Sequence, residues 1–196
     1  VKAGLYQVSG FSDFSSKGKE RRRFQPYLGA SGACDTSAPA GVLSTLIRFD
    51  GLDRPLETTH PDAADHGGVA SRTQLRYRPL VEEAWDEEDL SAAGPHTNTP
   101  TTTTKDGLGR VVRIERRLSA AEAQVLRFPY DGLGNLRGWV DSAGNEKVQT
   151  YDLLGRITRV DDPDSGTTLF EYDDAGNQTA RTDARAAREK RSAAKT

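Results

Sequence analysis

Cysteine, histidine and aspartate are the residues of this sequence whose types could support catalysis. Cys34 with His60 or His66 and an aspartate would have the composition of a cysteine hydrolase. Cys34, however, lies in residues 29–41, which are rich in Gly, Ala, Ser and Pro, so no strand or helix would fix a nucleophile there. We therefore predict a free loop thiol, and a fragment of a cysteine hydrolase is the weaker alternative.

Metal binding has two sets of candidates. The three histidines, at positions 60, 66 and 96, lack a ligand spacing such as two histidines on one helix face. Asp161, Asp162, Asp164 and Asn145 could bind calcium as in Gly/Asp-rich β-rolls, but those folds use a nonapeptide step and parallel strands. We predict that these side chains cap turns and that the chain has neither a metal nor a cofactor.

Aromatic side chains could form a row that stacks on sugar rings. The candidates are Tyr130, Tyr151, Tyr172, Trp139 and Trp85. Cross-strand packing is the favoured role, since aromatic pairs stabilise sheets by roughly 0.2–1 kcal/mol each. A cell-surface adhesion or carbohydrate-binding module is therefore the alternative function, with carbohydrate as its partner.

Composition favours a thin structure over a compact enzyme domain. Of 196 residues, 35% are hydrophobic and 19 are glycine, and the net charge is -2. The basic ends lack any nucleic-acid-binding motif, so we predict solvated ends and no nucleic-acid partner. No stretch approaches the ~20 apolar residues of a membrane span, and no signal peptide is visible. Because the chain starts at Val1 and has no methionine, we expect a fragment.

The strongest pattern is an internal repeat of tyrosine, aspartate and glycine. Tyr-Asp-x-x-Gly recurs twice at a step of 21 residues, and the three copies are Tyr130, Asp131 and Gly134, then Tyr151, Asp152 and Gly155, then Tyr172, Asp173 and Gly176. Earlier copies have Asp106 with Gly109, and Asp50 with Asp53 in place of the glycine. A degenerate copy is expected around Tyr77. With Asp141 and Asp162 included, turn signals from residue 131 onward recur every 10 or 11 residues, the spacing of short antiparallel strands.

The residue types suit tight hairpin turns. An aspartate carboxylate bonds the backbone two residues on, and glycine enters the left-handed region without steric cost. At Asp53 we expect a distorted turn. Strands are predicted at 124–130, 135–140, 146–151, 156–161, 167–172 and 178–182. Apolar residues lie two and five positions after the turn glycines, which indicates either a β-bulge or a strong twist.

The repeat resembles the YD repeat of the RHS (rearrangement hot spot) family over roughly residues 44–182. The stretch from Trp85 to Asp89, followed by Pro95 to Thr101, looks like a spacer in the RHS-type components of ABC toxin complexes. The resemblance implies an all-β fold: antiparallel hairpins in an open strip of a larger β-shell, which encloses a toxic C-terminal polypeptide. The matching Tyr, Asp and Gly positions would have structural roles, not catalytic ones.

The domains and function follow from this resemblance. We predict a poorly ordered segment at 1–43 with one strand at 5–8, the repeat region at 44–182, and a basic helical or disordered tail at 183–196. The predicted function is structural and non-enzymatic, with the rest of the parent shell and its toxin cargo as partners, in a secreted or cell-surface protein. The plug segment and the self-cleavage residues of complete family members have no counterpart in this sequence.

Overall fold

The computed structural model describes residues 5–30, 37–61, 71–92 and 94–185. These residues belong to two compact units, Val1–Thr101 with Leu118–Ala121, and Thr102–Arg117 with Glu122–Thr196. Cys34 and His66 lie outside the described residues, as does the predicted tail from residue 186 onward.

The described residues of the first unit form eight antiparallel strands. Their bounds are β1 Tyr6–Val8, β2 Ser12–Phe14, β3 Glu20–Phe24, β4 Tyr27–Gly29, β5 Ser44–Phe49, β6 Pro55–Thr59, β7 Arg72–Arg78 and β8 Val81–Trp85. Strands β1 and β4 pair with each other, and the others form a sheet in the order β8-β7-β6-β5-β3-β2.

The second unit continues the same pattern. Its strands are β9 Thr101–Lys105, β10 Val111–Arg117, β11 Ala123–Arg127, β12 Gly138–Val140, β13 Glu146–Tyr151, β14 Ile157–Asp162, β15 Gly166–Tyr172 and β16 Gln178–Thr182. Each strand is the sheet neighbour of the strand that follows it in the chain. The prediction of an all-β fold of antiparallel hairpins in open sheets is confirmed.

Four of the six strands predicted from residue 124 onward agree closely with the structure, whereas the predictions at 124–130 and 135–140 are too long, because β11 ends at Arg127 and β12 begins at Gly138. Strands β13 and β16 have the predicted bounds, and β14 and β15 differ from them by one residue. In β15, Leu169 and Glu171 are exposed while their alternating neighbours Thr168, Phe170 and Tyr172 are half-buried, as the period of two requires.

The amino-terminal part of the chain has more strands than the sequence predicts. The strand expected at 5–8 is β1, but β2, β3 and β4 follow it before residue 30. Phe11 packs against Phe24 and Tyr27 at ring-centre distances of 5.4 and 6.4 Å. Such aromatic contacts join positions that are distant in sequence, so no local sequence pattern predicts them. The predicted domain boundaries stay a prediction.

A β-bulge after the turn explains the unusual apolar spacing. Tyr151 opposes Ile157 whereas its neighbour Thr150 opposes Arg159, so Thr158 is an extra residue in β14. Residues that lie opposite each other on two strands share a face of the sheet. The bulge therefore places Ile157 and Val160, three positions later, on the same face. The same shift occurs beside Phe14, Phe49 and Tyr172.

Side-chain burial is shallow. Among the described residues, Tyr27 is the only buried hydrophobic side chain, and none is fully buried. Most strand side chains are half-buried. Stability therefore comes mainly from contacts between neighbouring strands and turns, and these contacts are made by the predicted repeat residues.

Candidate functional site

Each Asp-x-x-Gly turn is closed by hydrogen bonds to one aspartate. In the turn that begins at Asp152, the Gly155 N–H donates to the Asp152 carbonyl at 3.1 Å, and the Asp152 N–H donates to the Arg156 carbonyl at 3.0 Å. Asp152 Oδ1 accepts the N–H groups of Leu154 and Arg156, both at 2.9 Å. Gly155 has a φ of 77°, which is why glycine is favoured there.

The residue after the glycine completes the turn with its side chain. Arg156 Nε donates to Asp152 Oδ2 at 2.6 Å, and Asn135 Nδ2 donates to Asp131 Oδ2 at 2.9 Å. Both arginine and asparagine occur at this position, and each presents an N–H donor there. The sequence pattern contained this signal, but its hydrogen-bonding role was not predicted.

Hydrogen bonding shifts the acidity of these aspartates. The amide of Asn135 lowers the pKa of Asp131 below its usual value, and the backbone N–H of Arg156 does so for Asp152. Both act by stabilising the ionised carboxylate. The same direction holds at Asp50, Asp106, Asp141 and Asp173.

The predicted turn copies share this backbone closure. The fourth residue of the turn donates its N–H to the carbonyl of Asp50, Asp106, Asp131, Asp141, Asp152 and Asp173. The expectation of a distorted turn at Asp53 was wrong. Asp53 takes a φ of 60° and donates to the Asp50 carbonyl at 3.1 Å, because aspartate tolerates the left-handed region better than most residues.

One copy of the turn was missed. The Gly18 N–H donates to the Ser15 carbonyl at 2.9 Å, and Ser15 Oγ accepts the N–H groups of Lys17 and Lys19 at 3.3 and 3.1 Å. Serine replaces the aspartate here, and Phe14 replaces the tyrosine. A search that allowed serine before x-x-Gly would have found it.

The repeat tyrosines join successive copies within the second unit. The hydroxyl of Tyr130 donates to the Val111 carbonyl at 3.0 Å, and that of Tyr172 donates to the Ile157 carbonyl at 2.9 Å. The hydroxyl of Tyr151 likewise donates to the carbonyl of Leu136, at 2.7 Å. In each case the acceptor is the second residue after the preceding turn's glycine. The tyrosines therefore hydrogen-bond each repeat to the one before it.

Arginines at the fifth turn position add a second contact between repeats. The Arg110 guanidinium lies 4.3 Å from the ring centre of Tyr130, and that of Arg156 lies 4.7 Å from Tyr172. In the first unit, Arg54 lies 4.1 Å from Tyr77. Tyr77 thus takes the tyrosine position of a degenerate copy, in a hairpin with a two-residue loop.

The spacer-like stretch is an ordered loop around one aspartate. Asp89 is only 5% exposed, and its carboxylate accepts the N–H of Asp86 at 2.9 Å and the hydroxyl of Thr99 at 2.7 Å. A carboxylate buried in this way is held by its hydrogen bonds. The three acidic residues before it, Asp86, Glu87 and Glu88, are exposed.

Of the candidates Cys34, His60 and His66, the structure describes His60. His60 lies 3.7 Å from Glu87, an ion pair when the histidine is protonated. Cys34, predicted to be a free loop thiol, lies outside the described residues, as does His66. Within the part of the chain that the structure describes, no helix has the length and apolar character needed to span a membrane.

The calcium candidates have protein partners. Asp162 accepts the N–H groups of Asp164 and Ser165 at 3.0 and 3.1 Å and pairs with Lys147 at 3.0 Å. These hydrogen bonds, with Ser165 first, lower the pKa of Asp162 to about 2. In the described ranges no group of three or more His, Cys, Asp or Glu residues could hold a metal ion.

Three of the five aromatic candidates have an arginine guanidinium over the ring. Tyr130 and Tyr172 each have one ring face under an arginine, and Trp85 has Arg76 at 4.1 Å. The partners of these rings are arginines rather than other aromatic rings, so cross-strand packing by aromatic pairs stays a prediction. Carbohydrate binding stays a prediction.

Comparison with known families identifies the repeat. The family model of the RHS repeat matches residues 130–167 and again residues 151–188. The predicted resemblance is confirmed for this stretch, which contains all three Tyr-Asp-x-x-Gly copies. No curated protein sequence matches the chain.

Solved toxin structures share the fold. The crystal structure of TcdB2-TccC3 aligns with a TM-score of 0.76 and 20% identity over 92% of this chain and 10% of that one. TcdB2-TccC3 without its hypervariable C-terminal region gives 0.71 and 18%, over 92% of this chain and 9% of that one. A Photorhabdus luminescens Tc holotoxin pore gives 0.69 and 17%, with the same coverage. At these identities the likeness is one of fold, and this chain spans about a tenth of those chains.

Proposed function

We propose that this chain, whose residues 130–188 match the RHS repeat, is a wall segment of an RHS-type toxin shell and acts structurally rather than as an enzyme. One observation carries the proposal. Each tyrosine of the three Tyr-Asp-x-x-Gly copies donates its hydroxyl to a main-chain carbonyl of the preceding repeat. The repeat residues thus hold successive hairpins together, which is what a wall of stacked hairpins requires.

A wall needs continuity more than a deep core. The hairpins bury little by themselves, as the absence of a fully buried side chain in the described ranges indicates. Stacking of neighbours then supplies the stability, as in other repeat proteins. The turns are fixed locally by their aspartates, so further hairpins can be added without a new core.

We infer the partners from the related structures. TcdB2-TccC3 has a hypervariable C-terminal region, and one of its crystal structures was solved without that region. By analogy, the partners of this chain would be the remaining shell and a C-terminal toxic polypeptide enclosed by it, in a secreted complex.

The test is to express the complete reading frame that contains this chain. Electron cryo-microscopy is expected to find a hollow β-shell with this segment in its wall. Limited proteolysis should leave the C-terminal polypeptide intact until the shell is unfolded.

A matched pair of variants sharpens this test. Gly134→Val places a β-branched residue at a φ of 92° and should expose the enclosed polypeptide to protease, whereas Gly132→Ala in the same turn should not. A reading frame without further repeats, or a C-terminal polypeptide cleaved equally fast in the native and unfolded protein, would refute the proposal.

A further inference from the structure

A cavity between two turns of the first unit is lined largely by charged side chains. Its volume is about 360 Å³, and the residues of the turn from Ser15 to Gly18 and of the turn from Asp50 to Asp53 contribute to its lining. These turns join β2 to β3 and β5 to β6, and β3 pairs with β5, so the two turns are neighbours on one edge of the sheet. We call this space the turn cavity.

In the second unit, one side chain links each pair of neighbouring turns. Arg156 donates to the Asp173 carbonyl of the next turn at 3.2 Å, and Arg110 Nη1 lies 3.2 Å from the place that a Cβ on Gly134 would take. These arginines hold the fifth turn position. A lysine holds it at the turn cavity, so the link between the turns is made differently there.

Two further departures from the repeat keep the turn cavity polar. Phe49 stands where the repeat has tyrosine, and it has no hydroxyl to donate to the preceding hairpin. Asp53 stands where the repeat has glycine, and its carboxylate pairs with Lys17 at 3.2 Å. The side chain of Lys19, at the fifth position, has no hydrogen-bond or ion-pair partner among the described residues.

The lining has an excess of positive charge. It contains two carboxylates and four cations, which are Lys17, Lys19, Arg21 and Arg48. Asp50 pairs with Arg54 at 2.7 Å and Arg48 pairs with Glu57 at 3.5 Å, so these two charges are compensated by residues outside the lining. The net charge of +2 therefore resides on Lys19 and Arg21, for which the described ranges hold no ion-pair partner.

A β-bulge supplies one of these two cations. Asp13 opposes Arg22 while Phe14 opposes Glu20, so Arg21 is the extra residue of β3. A bulge changes the direction of a side chain, and Arg21 is exposed and lines the turn cavity. An arginine guanidinium presents its donors in a planar fork that fits the oxygens of a phosphate group.

We propose that the turn cavity binds a small phosphate monoester. Ligand pockets have volumes of about 300–1,000 Å³, so the turn cavity has room for a phosphate group and a small group esterified to it. A phosphate monoester carries a charge of about −1.5 to −2 at pH 7, which matches the net charge of the lining, whereas a carboxylate carries only one negative charge. This inference goes beyond the proposed wall function and does not depend on it.

Titration calorimetry of the full chain tests the choice of anion. The probes are glycerol 3-phosphate, glycerate and glycerol, which share a three-carbon skeleton, and the ionic strength is held constant. Glycerol 3-phosphate should bind saturably at millimolar concentration, glycerate at least several-fold more weakly, and glycerol not at all. Equal affinities for the two anions, or no saturable binding of glycerol 3-phosphate, would overturn the proposal.

Vesicles distinguish a lipid from a soluble ligand. Phosphatidic acid in phosphatidylcholine vesicles presents the same phosphate monoester on a lipid. Co-sedimentation of the chain with these vesicles, without binding of glycerol 3-phosphate, would refute a small-molecule ligand.

Two double variants with the same change in net charge locate the site. Lys19→Gln with Arg21→Gln should raise the dissociation constant for glycerol 3-phosphate at least about tenfold. Arg72→Gln with Arg127→Gln alters exposed side chains outside the turn cavity and should change that constant less than about twofold. Equal weakening by both double variants would assign binding to the overall charge and refute the site.

Asp53→Asn tests the site with an effect of the opposite sign. It removes the carboxylate that pairs with Lys17, and asparagine tolerates the φ of 60° found at this position. The affinity for glycerol 3-phosphate should therefore rise several-fold while circular dichroism stays unchanged, a gain that partial unfolding does not produce. An unchanged or lower affinity would contradict the assignment.

Discussion

Two glycines in one turn offer a direct test of the turn chemistry. Gly132 and Gly134 are the second and fourth residues of the turn that Asp131 begins. Gly134 has a φ of 92°, whereas Gly132 lies outside the left-handed region, with nothing within 4 Å of an added Cβ. Alanine at Gly134 tests the cost of backbone strain in the folded protein. Alanine at Gly132 tests the effect of restricting the unfolded chain.

The expected effects have opposite signs. At Gly134 an alanine would be held in the left-handed region, which costs roughly 1–2 kcal/mol. Its Cβ would also lie 3.2 Å from Arg110 Nη1, the end of a flexible side chain that can give way. At Gly132 alanine should stabilise the protein by about 0.4–1 kcal/mol, because it restricts the unfolded chain.

Urea unfolding in a Trp85→Phe background is the assay, since Trp139 then reports alone on the second unit. Gly134→Ala should lower the midpoint without changing the m-value, and it should lower Tm by about 2–8 °C, given about 2–4 °C per kcal/mol in chains of this size. Gly132→Ala should raise both the urea midpoint and Tm. If the two alanines destabilise equally, the reasoning from φ is wrong.

Three further perturbations address the remaining contacts. Tyr151→Phe removes the 2.7 Å bond to the preceding repeat and should reduce the free energy of unfolding by about 0.5–1.5 kcal/mol in urea titrations. Asp89→Ala leaves the buried Thr99 donors without their carboxylate and should cost about 1–3 kcal/mol, whereas Glu88→Ala, which alters an exposed side chain of the same loop, should stay within about 0.5 kcal/mol of the parent. Because folding lowers the pKa of Asp162 to about 2, its stabilisation is present above the unfolded pKa of about 4 and is lost as pH falls from there towards 2. The stability difference between the parent and Asp162→Asn should therefore shrink over that range, and a constant difference would contradict the assignment.

The parts of the fold that were predictable are those fixed by local chemistry. Asp131 and Gly134 act within one turn, so their roles could be read from residue types and spacing. The period of two in β15 depends only on alternation along one strand. The spacing of apolar residues indicated either a bulge or a strong twist near Thr158. Only the strand register identifies it as a bulge.

The contacts that were not predicted are of two kinds. Some join residues far apart in sequence, and others use a residue type that differs from the repeat pattern. Asp89 and Thr99 are ten residues apart, and no regular pattern connects them. The turn at Ser15 was hidden because a hydroxyl replaces the carboxylate. The stacking of arginine on the next tyrosine depends on how adjacent hairpins lie side by side, which only the sheet register supplies.

The fifth turn position decides how strongly two repeats are coupled. Arg156 donates to Asp152 at 2.6 Å, lies 4.7 Å from the Tyr172 ring centre and donates to the Asp173 carbonyl at 3.2 Å, so one side chain contacts two turns. Asn135 donates within its own turn and is too short to stack on the next ring. Loss of Arg156 would therefore weaken its own turn and the following repeat together, because residues that share a partner do not act additively. We therefore expect an arginine at this position to couple two neighbouring hairpins more strongly than an asparagine does, beyond the tyrosine hydroxyl bond that both kinds of repeat share.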